Sequence, residues 1–203
     1  MRRSELVRRL ARIPGPAAPR ADLEQVVTPP EAAAELLFTA LAAGDLEGRS
    51  VLDLGSGTGR LAVGAALLGA APVTGVELVP TLLPVARAAA EDAGVEVEFV
   101  ASDVADWRRS AELIVTNPPF GAQRAHADRP FWEAAFRLAR RAAYAFALAD
   151  SRTFIERRAV AAGAHVVATR SIAWELPRIF PHHTRRRVAL PVDLWAIRTE
   201  RNR

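Results

Sequence analysis

Short unbroken apolar runs alternate along this chain with longer stretches in which apolar residues recur every three or four positions. The first pattern predicts strands buried on both faces, the second amphipathic helices. Strands are expected over residues 50–54, 73–77, 97–101, 113–116, 143–148, 165–172 and 188–197. Helices are expected over 31–43, behind Pro29 and Pro30, and over 60–68, 81–93, 131–141 and 151–162, the last with Ser151 as its N-cap. Residues 1–12 read as a short basic amphipathic helix with Leu6, Leu10 and Ile13 on one face, and the Pro/Gly/Ala stretch 14–19 as a linker. Strands alternating with helices imply a mainly parallel sheet covered on both faces. The two closing strands, joined by a long loop, imply an antiparallel pair at or near one edge. The expected organisation is a helix and linker over 1–22 and one domain over 23–203.

Composition narrows the chemistry. Half of the 203 residues are hydrophobic, enough for a substantial core. There is no cysteine, which excludes disulfides and thiolate metal sites, and with four histidines no metal site is expected. No apolar stretch is long and charge-free enough for a membrane span or a signal peptide, so the expected compartment is the cytoplasm. The formal net charge is +4, and every basic side chain is an arginine. A GC-rich genome accounts for that bias, but guanidinium groups bind phosphate in a two-pronged geometry, so a polyanionic partner is compatible.

A glycine loop is the first local signal. Val51-Leu52-Asp53-Leu54-Gly55-Ser56-Gly57-Thr58-Gly59 follows a strand and opens a helix. A dinucleotide loop would read G-x-G-x-x-G, whereas position 60 is Arg and the third glycine, Gly59, comes one residue early. The acid Asp53 ill suits a pyrophosphate pocket but can hold the loop or a ligand's ammonium group. The next strand ends in Glu77, about twenty residues on, where a carboxylate can accept two ribose hydroxyls. The third is followed by Asp103 and Val104, again an acid just past a strand end. All three acids fall at C-terminal strand ends, where ligands bind in such sheets.

The second signal is Asn117-Pro118-Pro119-Phe120, after the fourth strand. An exocyclic amine on a nucleobase is a poor nucleophile, because its lone pair is delocalised into the ring. Acceptors aimed at its two N–H bonds favour the tetrahedral geometry that methyl transfer needs. The Asn117 side-chain oxygen and the Pro118 carbonyl are two such acceptors. Pro118 and Pro119 stiffen the turn, and Phe120 offers a face on which a flipped base can stack. The turn points to amino-nitrogen methylation without distinguishing adenine from cytosine, guanine or a glutamine side chain.

On these residues the chain resembles the methyltransferase-like 5 group of small-subunit ribosomal RNA N6-adenine methyltransferases, including archaeal relatives. The resemblance covers nearly the whole chain: Leu23-Glu24-Gln25-Val26-Val27-Thr28-Pro29, Asp53 to Gly59, Leu67 to Ala70, Asn117 to Gly121, and the tail from Leu176 through His183-Thr184-Arg185-Arg186-Arg187 to Val192-Asp193-Leu194. Val26 stands where the family carries an aromatic. The resemblance implies a class I methyltransferase Rossmann-like α/β fold, a seven-stranded mostly parallel sheet with an antiparallel strand near one edge. It implies S-adenosylmethionine as cofactor, with Gln25 and Thr28 closing over it. Asp53, Gly55, Gly57, Gly59, Glu77, Asp103 and Val104 would line the pocket with Asn117, and Asn117 to Phe120 would be catalytic. Structured RNA is the implied substrate, contacted by His183, Arg185, Arg186 and Arg187, and a small zinc-ribbon activator protein docked on a sheet edge is an implied partner. Two rival readings are a guanine N2 RNA methyltransferase and a glutamine N5 methyltransferase acting on a release factor.

Overall fold

The computed structural model of the chain describes residues 1–121, 124–177 and 187–199. Seven strands form one sheet: β1 (Val51–Leu54), β2 (Val73–Glu77), β3 (Glu98–Ala101), β4 (Ala111–Thr116), β5 (Ala139–Leu148), β6 (His165–Pro177) and β7 (Arg187–Arg198). Their order is β3-β2-β1-β4-β5-β7-β6. The first five strands run parallel, and β7 runs antiparallel to both of its neighbours, one place from the edge. Helices α1 (Arg3–Leu10), α2 (Pro30–Ala42), α3 (Arg60–Leu67), α4 (Leu83–Ala93), α5 (Arg129–Leu138) and α6 (Arg152–Ala161) complete the fold. This is the class I methyltransferase arrangement that the resemblance implies.

The pleat sorts the strand residues into two layers. Val51, Leu113, Val115, Tyr144 and Phe146 pack with α1 to α4, and Leu52, Leu54, Ile114 and Ala143 pack with α5. A third cluster places Trp132, Phe136 and Trp195 against Ile155 of α6. Opposite the strand ends that carry the glycine loop, the buried carboxylate of Asp45 accepts from Arg141 Nε (2.7 Å), from Arg198 and from the Tyr144 hydroxyl (2.8 Å). That cluster ties the loop after α2 to β5 and β7.

Several elements differ from the sequence expectation. Helix α5 ends at Leu138, and β5 begins at once with Ala139, whose backbone is extended. Helical propensity in Ala-Arg-Arg-Ala is overridden by pairing of Ala139 with Ala111 and by the hold of Asp45 on Arg141. The expected helix 81–93 opens as a 3-10 turn over Pro80–Leu82 before α4. Ser151 closes a 3-10 turn in right-handed helical conformation and makes no side-chain cap, so it is not an N-cap. Strands β6 and β7 outrun β5, whose last pair is Leu148 with Val192, and continue as a two-stranded ribbon to Pro177 and Arg187. Within the expected linker 14–19, Gly15 lies so close to Val27 that a Cβ there would stand 2.9 Å from Cγ2.

Helix α1 belongs to the main core, with Leu6 and Leu10 fully buried against α2 and α3. Leu10→Ala should therefore destabilise the whole fold by about 2–5 kcal/mol, as expected for a buried leucine. Urea unfolding measures this, and a loss well below that range would mean that α1 is merely laid on the body.

Candidate active site

Sheet register assembles the site. Leu54, the last residue of β1, pairs with Val76 on one side and Thr116 on the other, and Glu77 pairs with Ala101. Glu77, Gly55 and Asn117, which follow these paired residues, therefore form one rank along the sheet, and Asp103 comes two residues after Ala101, the partner of Glu77. The Thr116 hydroxyl donates to the Leu54 carbonyl at 2.7 Å and locks the ends of β1 and β4 together.

The glycine loop turns on left-handed backbone. Gly55 has φ 72°, and a Cβ there would stand 2.7 Å from the Phe131 ring; Gly59 has φ 89°, and its Cβ would stand 2.8 Å from Phe99. Any side chain at these two places would collide and be strained. Glu77 braces the loop, with Oε2 accepting from Gly57 N and Oε1 from Val79 N, both at 2.8 Å. Each oxygen keeps a lone pair for a further donor. Asp53 is fully buried, and its Oδ2 accepts from Ala62 N in the first turn of α3 at 3.0 Å. Asp103 is exposed at the rim, where Oδ1 accepts from Ala105 N at 2.8 Å in a local turn.

The segment 22–28 forms a lid. Arg60 donates to the carbonyl oxygens of Thr28 (2.6 Å) and Ile13 (2.5 Å), tying both N-terminal stretches to the start of α3. Burial pulls its guanidinium down to about 10, still charged at neutral pH. Thr28 Oγ1 accepts from Asn117 Nδ2 at 3.0 Å. Glu24, itself on left-handed backbone, accepts with Oε2 from Phe120 N (2.8 Å) and Gly121 N (3.0 Å). The lid thus holds the Asn-Pro-Pro-Phe turn at its first residue and at its last.

Between lid and strand ends lies a cavity of about 490 Å³, in the range for small-molecule sites. Gln25, Thr28, Asp53, Gly55, Gly57, Glu77, Asp103, Val104, Asn117 and Pro119 line it. Gly59 opens α3 behind the wall, Pro118 is buried, and Phe120 is half-buried with its ring edge-on to Trp174 at 5.7 Å. Five residues of this wall carry a buried polar atom with no partner among the described residues: Gln25 Nε2, Asp53 Oδ1, Ser56 Oγ, Arg60 Nε and Asn117 Oδ1. Orphaned buried polar groups are costly, so their convergence on one cavity marks a site built for a polar ligand. Glu24, Ser56, Arg60 and Phe131 were not singled out from the sequence. Glu24 is 96 residues from its partner Phe120, and nothing local signals that contact. His183, Arg185 and Arg186 lie outside the described residues, and Arg187 is described only as the backbone that opens β7.

A family model described as the methyltransferase small domain matches residues 29–144, from the start of α2 into β5. The chain belongs to that methyltransferase family. Similarity continues beyond the matched stretch. The methyltransferase is 30% identical over 191 residues to an uncharacterized protein of Methanocaldococcus jannaschii, covering 88% of this chain and 86% of that one. It is 31% identical over 185 residues to the rRNA N(6)-adenosine-methyltransferase Mettl5 of Drosophila melanogaster, covering 87% of each. The crystal structure of a candidate RNA methyltransferase from Pyrococcus horikoshii superposes with a TM-score of 0.92 at 35% identity over 99% of both chains. The methyltransferase accordingly falls in the methyltransferase-like 5 group that its motifs resemble.

Asp53 gives the methyltransferase a measurable signature. Its ionisation moves up from 3.8 to about 7, chiefly through burial; the Ala62 N–H opposes the shift and neighbouring Glu77 adds to it. The unfolded carboxyl ionises near 4 and the folded one near 7, so folded stability falls as pH rises through that window and is then level. Asp53→Asn keeps a carbonyl for Ala62 and removes the titration. The melting temperature of the variant minus that of the native chain should climb from pH 5 to pH 7 and flatten above. A difference that stays constant from pH 5 to 8 would contradict the assignment.

Proposed function

We propose that this methyltransferase transfers a methyl group from S-adenosylmethionine to N6 of an adenine in structured RNA, with small-subunit ribosomal RNA in the cytoplasm as its substrate. The observation that carries the reading is the Asn117 amide. Its nitrogen is committed to Thr28 Oγ1, and its oxygen is buried at the cavity without a partner among the described residues. An acceptor held rigid and empty is what a poorly nucleophilic amine requires.

The wall fits the cofactor. Glu77 would receive the ribose hydroxyls, Asp103 and Val104 the adenine, and Asp53 with Gln25 the amino-acid end, where the orphaned polar atoms lie. When bound, S-adenosylmethionine supplies an electrophilic methyl group on a sulfonium. Asn117 Oδ1 and the Pro118 carbonyl accept the two N–H bonds of the target amine and draw its lone pair out of conjugation. Glu24 fixes the far end of the turn through two backbone N–H groups, so the acceptors do not relax as charge develops. No strong base is needed, because the amine loses its proton after transfer. The printed name of the Drosophila relative, an rRNA N(6)-adenosine-methyltransferase, supports the choice of adenine in RNA. Pro177 and Arg187, the last pair of the β6–β7 ribbon, lie at the cofactor end, which favours RNA contact by the arginines beside them. A zinc-ribbon activator, if required, would add a strand at a sheet edge.

Asn117→Ala should lower turnover about a hundredfold or more while leaving S-adenosylmethionine affinity nearly unchanged. Single-turnover kinetics and calorimetry on the same preparation separate the two effects, and near-normal turnover would remove Asn117 from the mechanism. The substrate is tested by nucleoside mass spectrometry of ribosomal RNA from cells with and without the gene. Loss of one N6-methyladenosine is the expected result. Loss of N2-methylguanosine, or of methylglutamine from a release factor with RNA unchanged, would overturn it.

A further inference from the structure

We propose that the outward face of α1 is an RNA-binding surface that grips substrate phosphates beside the catalytic pocket. The inference rests on the reading of the substrate as RNA.

Residues 1–12 hold five arginines and one glutamate. The whole chain has 27 basic and 23 acidic residues, so its entire formal excess of +4 sits in residues 1–12, α1 and its two flanks, and residues 13–203 balance. The apolar side of the helix is spent: Leu6 and Leu10 are fully buried in the core and Ile13 nearly so. Insertion of α1 into a lipid surface would require that same face, so only the charged face is left to meet a partner. Arg3 is paired with Glu35 and Arg9 with Glu5. Arg2, Arg8 and Arg12 are exposed and form no ion pair among the described residues.

Arg8 in the last turn of α1 and Arg12 just beyond it complement the helix dipole, but the arrangement also carries costs. Arg8 and Arg12 stand four residues apart on one face, where like charges repel. Arg2, at the N-terminal end, opposes the helix dipole. A polyanion relieves both costs. Position favours the substrate as that polyanion. Ile13, next to Arg12, gives its carbonyl to Arg60, whose other branch holds Thr28 of the lid, and Pro16 lines the cofactor cavity. The arginine face therefore leads directly into the lid of the catalytic pocket. Arg8 and Arg12 also border a groove between α1, α3 and α4 whose opposite wall carries Glu91 and Asp92, so phosphates are assigned to the outer side of these arginines, away from that wall.

The test is filter binding of an in vitro transcribed small-subunit ribosomal RNA hairpin at several salt concentrations. Arg2, Arg8 and Arg12 are changed together to Gln, and in a second variant to Lys. The Gln variant should bind at least tenfold more weakly at low salt, with a salt slope shallower by about 2, as expected for two to three lost phosphate contacts. Its melting temperature and S-adenosylmethionine affinity should match the native chain, and the Lys variant should recover most of the RNA affinity and slope. Should the Gln variant fail to fold, a Lys variant as weak as an uncharged control would itself overturn the proposal. Unchanged affinity and slope in the Gln variant, while the native chain still binds and methylates RNA, would overturn this surface and leave the proposed function intact. Absence of RNA binding and methylation in the native chain would sink both. Arginine-dependent binding to phosphatidylserine vesicles but not to the hairpin would replace RNA by a membrane surface and also overturn the proposal.

Discussion

Where β1 and β4 end side by side, the Thr116 hydroxyl meets the Leu54 carbonyl, and the parallel register that this bond closes sets the rest of the site. A parallel sheet leaves all its C-terminal ends on one side, so turns far apart in sequence arrive in one rank. Gly55 and Asn117 are 62 positions apart and become neighbours because their preceding residues are paired. A slip of one residue in β4 would turn Val115 and Leu113 out of the main core and Ile114 into it. The alternation of apolar layers thus enforces the placement of the chemistry, and catalytic geometry is a by-product of core packing.

On this rank the lid imposes a second constraint. Thr28 and Glu24 hold the Asn-Pro-Pro-Phe turn from the N-terminal side, and Arg60 holds Thr28 in turn. Proline supplies stiffness within the turn but cannot fix where the turn points, since Pro118 and Pro119 have no N–H to offer. The two N–H groups that follow, on Phe120 and Gly121, are the ones that Glu24 takes. Glu24 at one end and Thr28 at the other therefore orient a segment that is otherwise rigid only internally. The same lid lines the cavity, so occupation of the cavity and orientation of the turn act through shared residues.

The sheet, the glycine loop, the three acids and the Asn117 turn were legible because each is written in contiguous residues. Apolar runs fix strands, and glycine at Gly55 and Gly59 is demanded by backbone sign and by the Phe131 and Phe99 rings. The limits of α5 and β5 were not legible, since Ala139 to Arg141 favours a helix until Asp45, nearly a hundred residues earlier, takes Arg141. Ser151 has the residue type of a cap without its geometry. Glu24 and Arg60 escaped for the same reason as Asp45: their partners are set by tertiary closure. Phe120 shows the reverse case. Its motif suggests a free stacking face, yet the ring is held edge-on by Trp174, itself packed against Phe146. Trp174 lies on the ribbon that extends past β5, an extension the apolar pattern did not reveal.

Electrostatics inside and outside the pocket follow opposite rules. Within it, burial weakens both kinds of charge: Asp53 is driven toward neutrality at about 7, and Arg60 is drawn down to about 10. Such groups are poised to gain from a ligand that brings its own charge and hydrogen bonds, because the penalty of drying them has already been met by the fold. Outside, Arg8 and Arg12 are exposed to water, and their mutual repulsion is small enough for the folded chain to bear. A small charged cofactor suits the first environment and an extended polyanion the second. Ile13, Arg60 and Thr28 join the two in one chain of contacts, so the surface that would hold the polymer and the pocket that would hold the methyl donor are positioned by the same few residues.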